Sequence, residues 1–202
     1  MNANAAALLT NPHPCAHIVY PYTDEGLVGQ AVCLFASAGL RQGEGVILIL
    51  SAANYDAYTL RLVVEGHDVE ALQKSGQLVC LVAEDLLANY MGQGAFEIEK
   101  FETAVDEIIR ACKMTAAGAN GMVRGFGELV GMVWNSDLGT TVSLEQMWNR
   151  VIDRHSVSLM CTYELKGRKD IPESIRSLHS HSMNSGGVVS STDRGAATVM
   201  IG

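Results

Sequence analysis

Short apolar runs alternate along the chain with stretches in which apolar positions recur at helical spacing. The run at residues 46–50, Val-Ile-Leu-Ile-Leu, lies between Gly45 and Ser51 and is typical of a strand covered on both faces. Pro21 is expected to end the first such run. Runs of this kind predict five strands, at residues 16–20, 46–50, 78–82, 122–126 and 157–163.

Helical spacing predicts helices between these strands. Thr23 is expected to cap a helix that runs up to Gly39, and Asp68 to cap a short helix that ends at Gly76. The remaining helices are predicted through Tyr58, over residues 96–114 and around residues 144–152. Strands that alternate with helices of this length predict an α/β fold with a mainly parallel central sheet.

The length of 202 residues fits one domain, which would bury about 70% of the surface that the unfolded chain exposes. Residues 1–14 are predicted to be a loose leader, and residues 15–183 carry the alternating strands and helices. From about Ser182 the composition changes to Ser, Gly, Thr and Ala. Residues 184–202 are therefore predicted to form a flexible tail.

The charge of the chain argues against a nucleic-acid surface. Asp and Glu outnumber Lys and Arg by 22 to 14, which gives a net charge of −8, and the basic residues are scattered.

No apolar run approaches the roughly 18 residues that a membrane span needs, and the first residues resemble no signal peptide. Five widely spaced cysteines lie mostly in apolar runs, as free thiols do in a reducing compartment. We therefore expect a cytoplasmic protein without a membrane partner.

The turn after the first strand lacks the residues of a phosphate-binding loop. A P-loop needs glycines and a Gly-Lys-Ser/Thr ending, because backbone N–H groups and the lysine hold the phosphates. Here Asp24 and Glu25 start the helix, and the first lysine in the chain is Lys74. Hydrolysis of ATP or GTP is therefore not expected.

Other catalytic and metal-binding signatures are missing as well. The sequence has no Gly-x-Ser-x-Gly elbow and no Cys-x2-Cys zinc pattern. The pairs Cys15-x-His17 and His179-x-His181 are interpreted as ordinary surface or cap residues. We expect no metal site, no catalytic residue and no cofactor.

A group of polar and aromatic residues follows the predicted strands. Glu128 comes directly after a buried strand, so it needs a partner, such as Arg124 or His17, or a polar cleft. In open α/β sheets the cleft lies beyond the carboxyl ends of the strands, and a few polar groups between aromatic walls suit a small molecule. The candidate ligand-binding residues are His17, Tyr20, Tyr22, Ser51, Asn54, Glu84, Glu128 and Tyr163. Trp134 and Trp148 are interpreted as core residues.

Seven short motifs, from about residue 14 to 183, resemble one known family, the MEDS domain. This is the sensory domain of methanogens, methylotrophs and the dichloromethane-dehalogenase regulator. The motifs are His17 with Tyr20 and Tyr22, Gly39-Leu40-x2-Gly43-Glu44, Gly66-x-Asp68-Val69, Phe126-Gly127-Glu128-Leu129, Leu144-Glu145-x2-Trp148-Asn149, Cys161-x-Tyr163 and His179.

The resemblance implies a three-layer RecA-like α/β sandwich, related to circadian-clock ATPase modules, that senses a signal. Such domains sit beside DNA-binding or histidine-kinase domains, but no segment after Tyr163 has either pattern. Output would then pass through a partner chain, or the chain is a piece of a longer regulator. The expected ligand is a small molecule or a regulatory protein. A degenerate or active nucleotide-binding protein and a homodimeric structural partner stay open as alternatives.

Overall fold

A mainly parallel sheet runs through the middle of the protein. The computed structural model describes residues 1–116, 121–184 and 189–191, and these contain nine strands. Two of them, β4 and β5, form a separate antiparallel hairpin. In chain order the strands are β1 (His17–Tyr22), β2 (Gly45–Leu50), β3 (Leu78–Val82), β4 (Met91–Gly92), β5 (Ala95–Phe96), β6 (Val123–Gly127), β7 (Ser158–Glu164), β8 (His181–Met183) and β9 (Val189–Ser191).

Helices cover both faces of this sheet. One apolar core lies beneath the first three helices, and a second lies beneath helices from the later part of the chain. The predicted three-layer α/β architecture is thus confirmed. The described helices are α1 (Ala3–Thr10), α2 (Glu25–Arg41), α3 (Ala52–Val64), α4 (Val69–Ser75), α5 (Ala83–Tyr90), α6 (Ile98–Thr115), α7 (Leu129–Val133), α8 (Leu138–His155) and α9 (Glu173–Arg176). None of them combines the length and the apolar character that crossing a bilayer requires.

The seven-stranded sheet has the order β3-β2-β6-β7-β1-β8-β9 in the described residues. All pairs within it are parallel except β8 with β9. The carboxyl ends of β1, β2, β6 and β7 therefore meet at one edge, where parallel α/β sheets place their clefts. The five predicted strands occur within two residues of their expected bounds.

The first strand does not end at Pro21, contrary to the prediction, and β1 continues to Tyr22. The carbonyl oxygen of His17 accepts a hydrogen bond from Ser180 on the β8 side, so every second residue of β1 directs its backbone groups toward β8. Pro21 has this orientation, but β8 pairs with β1 only at Ile18 and Val19. The missing N–H of Pro21 therefore costs no hydrogen bond between strands.

The predicted loose leader is a docked helix in the structure. Helix α1 is capped by the side chain of Asn2 and buries Leu9 completely. The guanidinium group of Arg124, itself buried, donates hydrogen bonds to the carbonyl oxygens of Leu9 and Thr10 and pairs with Glu44. Because a buried guanidinium group needs acceptors, these bonds hold α1 against the sheet. The prediction was wrong because it rested on local pattern alone.

The predicted flexible tail lies largely outside the described residues. Residues 185–188 and 192–202 belong to that part. The described residues of the segment are Asn184 and Val189–Ser191, and the last three form β9 and pair antiparallel with β8. Residues 189–191 of the predicted tail are therefore part of the sheet.

Candidate functional site

An open cleft of about 410 Å³ lies at the carboxyl ends of β1, β2, β6 and β7. Four of the predicted ligand-binding residues line it: Tyr22, Ser51, Asn54 and Glu128. The sequence analysis did not single out the other lining residues, which are Glu25, Ala53, Gly131, Met132, Asn135, Thr162, Glu164 and Lys166.

Glu128 is the central acidic group of this cleft. Its backbone N–H bonds to the carbonyl oxygen of Ile49 at 2.9 Å and so extends the pairing of β6 with β2. Its carboxylate accepts hydrogen bonds from the backbone N–H of Ser51 at 2.5 Å and from the side-chain amide of Asn54 at 2.7 Å. Burial raises the pKa of Glu128 above its ordinary value, although these hydrogen bonds oppose the shift. The partners expected from sequence, Arg124 and His17, lie elsewhere.

The surroundings of Glu128 are acidic. Burial, followed by the charges of Glu128 and Glu164, raises the pKa of Tyr22 to about 12, so its hydroxyl stays protonated at neutral pH. Lys166 also lines the cleft, but its ammonium group lies 3.3 Å from the carboxylate of Glu164. The cleft therefore presents carboxylates, amides and hydroxyls rather than a net positive charge.

A glycine allows the floor of the cleft to form. Helix α7, which follows Glu128, packs its Gly131 directly on the backbone of β7. A Cβ atom at this position would lie 2.3 Å from the carbonyl oxygen of Thr162, which is too close for any side chain. Gly131 thus lets α7 lie near the strand that supplies Thr162 and Glu164.

Four predicted site residues do not line the cleft. Tyr20 is buried in the core on the α2 side of the sheet. Glu84, on α5, accepts a hydrogen bond from the backbone N–H of Ala52 at 2.9 Å, at the start of α3. His17 and Tyr163 point to the opposite face of the sheet, because side chains alternate along a strand. The predicted single group is therefore divided: four of its residues line the cleft, His17 and Tyr163 lie together on the other face, and Tyr20 and Glu84 belong to neither set.

The amino end of α2 differs from the sequence prediction in its cap. Asp24, not Thr23, caps the helix, and its carboxylate accepts hydrogen bonds from the backbone N–H groups of Gly26 at 2.8 Å and Leu27 at 3.1 Å. Backbone N–H groups at the amino end of a helix that follows a strand can hold a phosphate. In this protein the carboxylate of Asp24 already accepts the hydrogen bonds of two such groups.

His17 belongs to a second polar cluster, which lies between the sheet and α8. His17, Glu145, Cys161 and His179 are all completely buried, and their potential ligand atoms lie within 4.8 Å of one another. The carboxylate oxygens of Glu145 lie 3.2 Å from Nε2 of His17 and 3.3 Å from Nε2 of His179. Tyr163 donates a hydrogen bond from its hydroxyl to the same carboxylate.

The electrostatics of this cluster centre on Glu145. Burial alone would raise the pKa of Glu145, but the neighbouring His179 and His17 outweigh burial and lower it. Burial and then His179 lower the pKa of His17, while burial and then Glu145 raise the pKa of Cys161 and of Tyr163. Glu145 is therefore the group that carries charge most readily, and the thiol and phenol are neutral donors when only protein atoms are present.

This cluster was not predicted from the sequence, although α8 carries a signal for it. Glu145 lies beside Leu144 and one turn from Trp148 on the apolar face of α8, and a carboxylate there needs buried partners. The sequence pairs Cys15 with His17 and His179 with His181 at metal-ligand spacing. In the structure only one residue of each pair, His17 and His179, belongs to the cluster.

The fold and the strand-end cleft together define a RecA-like α/β protein. A solved structure of a KaiC-like protein from the hyperthermophilic archaeon Pyrococcus horikoshii shares this fold, with a TM-score of 0.61 and 11% sequence identity over 85% of this chain and 71% of that chain. No curated protein matches the sequence. The chain belongs to the MEDS family, the methanogen/methylotroph, DcmR sensory domain, which matches residues 16–181. Membership supports a sensory or regulatory role.

Proposed function

We propose that this domain is a non-catalytic sensor whose strand-end cleft binds a small organic molecule. The observation that carries the proposal is the buried carboxylate of Glu128 in the wall of an open cleft of about 410 Å³. Burial of a carboxylate in this position costs free energy, which a ligand can recover by donating a hydrogen bond or a positive charge to it. Membership of a sensory family supports a role for this binding in signalling.

The lining indicates the chemical class of the ligand. Carboxylates of Glu25, Glu128 and Glu164 face one ammonium group, that of Lys166, which pairs with Glu164. Such a cleft disfavours anions and favours a neutral or cationic molecule that donates hydrogen bonds. The side chains of Tyr22 and Met132 supply apolar contact area for its carbon atoms.

Two observations favour this function over nucleotide hydrolysis. The carboxylate of Asp24 takes the backbone N–H groups of Gly26 and Leu27, which a phosphate would need. The acidic lining of the cleft would also repel a triphosphate. Catalysis of phosphoryl transfer depends on positive groups around the transferring phosphate, and the cleft offers Lys166 alone among the residues that line it.

The signal is proposed to pass to a regulatory partner protein in the cytoplasm. The family description, a sensory domain, supports a signal that passes to a partner. The five cysteines support the cytoplasmic location, because all are free in the structure, which suits a reducing compartment.

The test is a ligand screen on the purified chain, read by thermal shift and by NMR. We expect neutral or cationic organic molecules to raise the melting temperature. A ligand present at 100 times its Kd would stabilise the fold by about 2.7 kcal/mol. Glu128→Gln and Asn54→Ala should weaken the response, whereas Glu70→Gln, at an exposed position on α4 outside the cleft, should leave it unchanged.

Mg-ATP provides the opposing arm of the same experiment. We expect neither stabilisation nor release of phosphate. Micromolar affinity for ATP that disappears in Lys166→Ala would replace the sensor proposal with the nucleotide-binding alternative. A domain that responds to no small molecule but binds a regulatory protein through the cleft, with loss in Glu128→Gln, would assign the cleft to a protein ligand instead.

A further inference from the structure

We propose that His17, Glu145, Cys161 and His179 bind a divalent transition-metal ion, with zinc as the ion that fits best. The site is separate from the cleft, because the four side chains lie on the other face of the sheet, beneath α8. It would hold together four parts of the chain: β1, α8, β7 and the segment after α9.

The donor set selects the class of metal. Two imidazoles, one thiol and one carboxylate offer nitrogen, sulfur and oxygen, which suits zinc and its first-row neighbours. Calcium and magnesium require oxygen ligands almost exclusively. Two neutral imidazoles, a thiolate and a carboxylate carry a total charge of −2, which a divalent ion neutralises in a completely buried place.

The spacing of the donors matches tetrahedral coordination. Bonds of roughly 2.0–2.3 Å place the ligand atoms of a tetrahedral ion roughly 3.3–3.8 Å apart. Oε2 of Glu145 lies 3.2 Å from Nε2 of His17, and Oε1 of the same carboxylate lies 3.3 Å from Nε2 of His179. The sulfur of Cys161 lies 3.6 Å from Nε2 of His17 and 3.7 Å from Glu145. One ligand atom from each of the four residues lies within 4.8 Å of all the others, so the side chains must draw together slightly to surround an ion.

The hydrogen bonds of the two imidazoles orient their Nε2 atoms as metal ligands. The side-chain nitrogen of Asn149 donates to the carbonyl oxygen of Leu178 at 2.9 Å, which directs its oxygen toward Nδ1 of His17, also at 2.9 Å. Nδ1 of His179 lies 2.8 Å from the carbonyl oxygen of Ile175. Both acceptors require a proton on Nδ1, so a neutral ring presents the lone pair of Nε2 to the cluster.

The carboxylate of Glu145 lies within 3.3 Å of both Nε2 atoms, so a positive group between the two rings would be stabilised there. Protonation of both rings would place two cations in the core with ring centroids 4.0 Å apart, compensated by the single charge of Glu145. One metal ion satisfies all four donors at once. The hydroxyl of Tyr163, which donates to Glu145, then orients the carboxylate as an outer partner.

The burial of the site defines its role. Four protein ligands and no exposed ligand side chain are typical of a structural ion, whereas a catalytic ion keeps an open position. Such an ion must enter while the chain folds, and its binding free energy becomes part of the stability of the fold.

The experiment refolds the full chain with Co²⁺ or with Zn²⁺ and removes loosely bound ions by gel filtration. We expect one ion per chain, a visible absorption spectrum typical of tetrahedral Co²⁺, and a thiolate-to-cobalt charge-transfer band. Zn²⁺ should raise the melting temperature relative to the metal-free chain. Cys161→Ser should lose the charge-transfer band. Cys112→Ser should keep it, because Cys112 is an equally buried cysteine in the same core but outside the cluster.

Two milder variants protect the test against unfolding of Cys161→Ser. Tyr163→Phe and Asn149→Ala leave all four ligands in place and should weaken the affinity for Co²⁺ by roughly 10- to 100-fold. The proposal is overturned if wild-type protein, refolded to its native circular dichroism, holds no Co²⁺. It is equally overturned if Cys161→Ser binds Co²⁺ with the wild-type spectrum, since the ion would then lie elsewhere. Both results are independent of any ligand in the cleft.

Discussion

Cys161 and Thr162 are consecutive residues of β7, yet Cys161 belongs to the buried cluster and Thr162 lines the cleft. Successive side chains of a strand point to opposite faces, so one strand supplies both polar sites of the protein. The two sites can therefore be changed independently by substitutions on elements that contact only one of them.

Asn149→Ala should destabilise the fold by about 1–3 kcal/mol, because the variant leaves the buried Nδ1 of His17 without its acceptor. The measurement is urea unfolding. Asn135→Ala is the matched control, since Asn135 is exposed at the cleft and its removal should change the free energy of unfolding by less than about 0.5 kcal/mol. Equal effects of the two substitutions would show that Asn149 does not orient His17.

Glu128 should make the stability of the protein depend on pH in a defined direction. Burial raises its pKa in the folded state above the ordinary value of about 4.3 for glutamate, so the folded state holds the proton more tightly. The resulting stability is fully present below the ordinary pKa and is lost as the pH rises through the raised one. Relative to Glu128→Gln, the wild type should therefore become less stable as the pH rises.

The measurement is the difference in free energy of unfolding between wild type and Glu128→Gln, from about pH 4 to pH 8. Glu70→Gln serves as the control and should differ from wild type by less than about 0.5 kcal/mol throughout. A difference between wild type and Glu128→Gln that grows in favour of the wild type with rising pH would contradict the burial of Glu128.

Leu9→Ala should cost about 2–5 kcal/mol of stability, because Leu9 is completely buried where α1 packs on the sheet. Thermal and urea unfolding measure the loss. Leu138→Ala, at a position that is 44% exposed, should cost less than about 0.5 kcal/mol. A negligible effect of Leu9→Ala would restore the interpretation of residues 1–14 as a loose leader.

Asp24→Ala should destabilise the domain by about 0.5–2 kcal/mol, since it removes the cap of α2. Asp24→Asn keeps a side-chain oxygen for the same backbone N–H groups and should cost much less. Thr23→Ala should be nearly neutral, because Thr23 is not the cap. Urea unfolding ranks the three variants, and a larger loss in Thr23→Ala than in Asp24→Ala would favour the assignment made from sequence.

Local pattern predicted the framework well. The five apolar runs became β1, β2, β3, β6 and β7, because short apolar runs between turn residues are typical of strands in a covered parallel sheet. Short elements such as α5, α9 and β8 were missed, since a few residues carry too little periodicity. The extent of β1 past Pro21 depended on the short pairing of β8, which no local signal describes.

The cleft was predictable in part. Ser51, Asn54 and Glu128 follow strand ends, and parallel strands bring such residues to one edge. Three other residues of the predicted group do not line the cleft. His17 and Tyr163 lie on the other face of the sheet, whereas Tyr20 shares the face of Tyr22 but lies in the core, two residues before the strand ends. The alternation along β1 already separates His17 from Tyr20, and it was the sequence signal that the grouping neglected.

The sequence by itself determined the α/β class, the position of the main strands and helices, the acidic character and the carboxylate at the end of β6. These features follow from periodicity and composition, which are local. Only the tertiary structure decided that His17, Glu145, Cys161 and His179 meet. Their contact requires α8 to turn one apolar face inward and β1 to lie beside β7, which brings together His17 and Cys161, 144 residues apart in the chain.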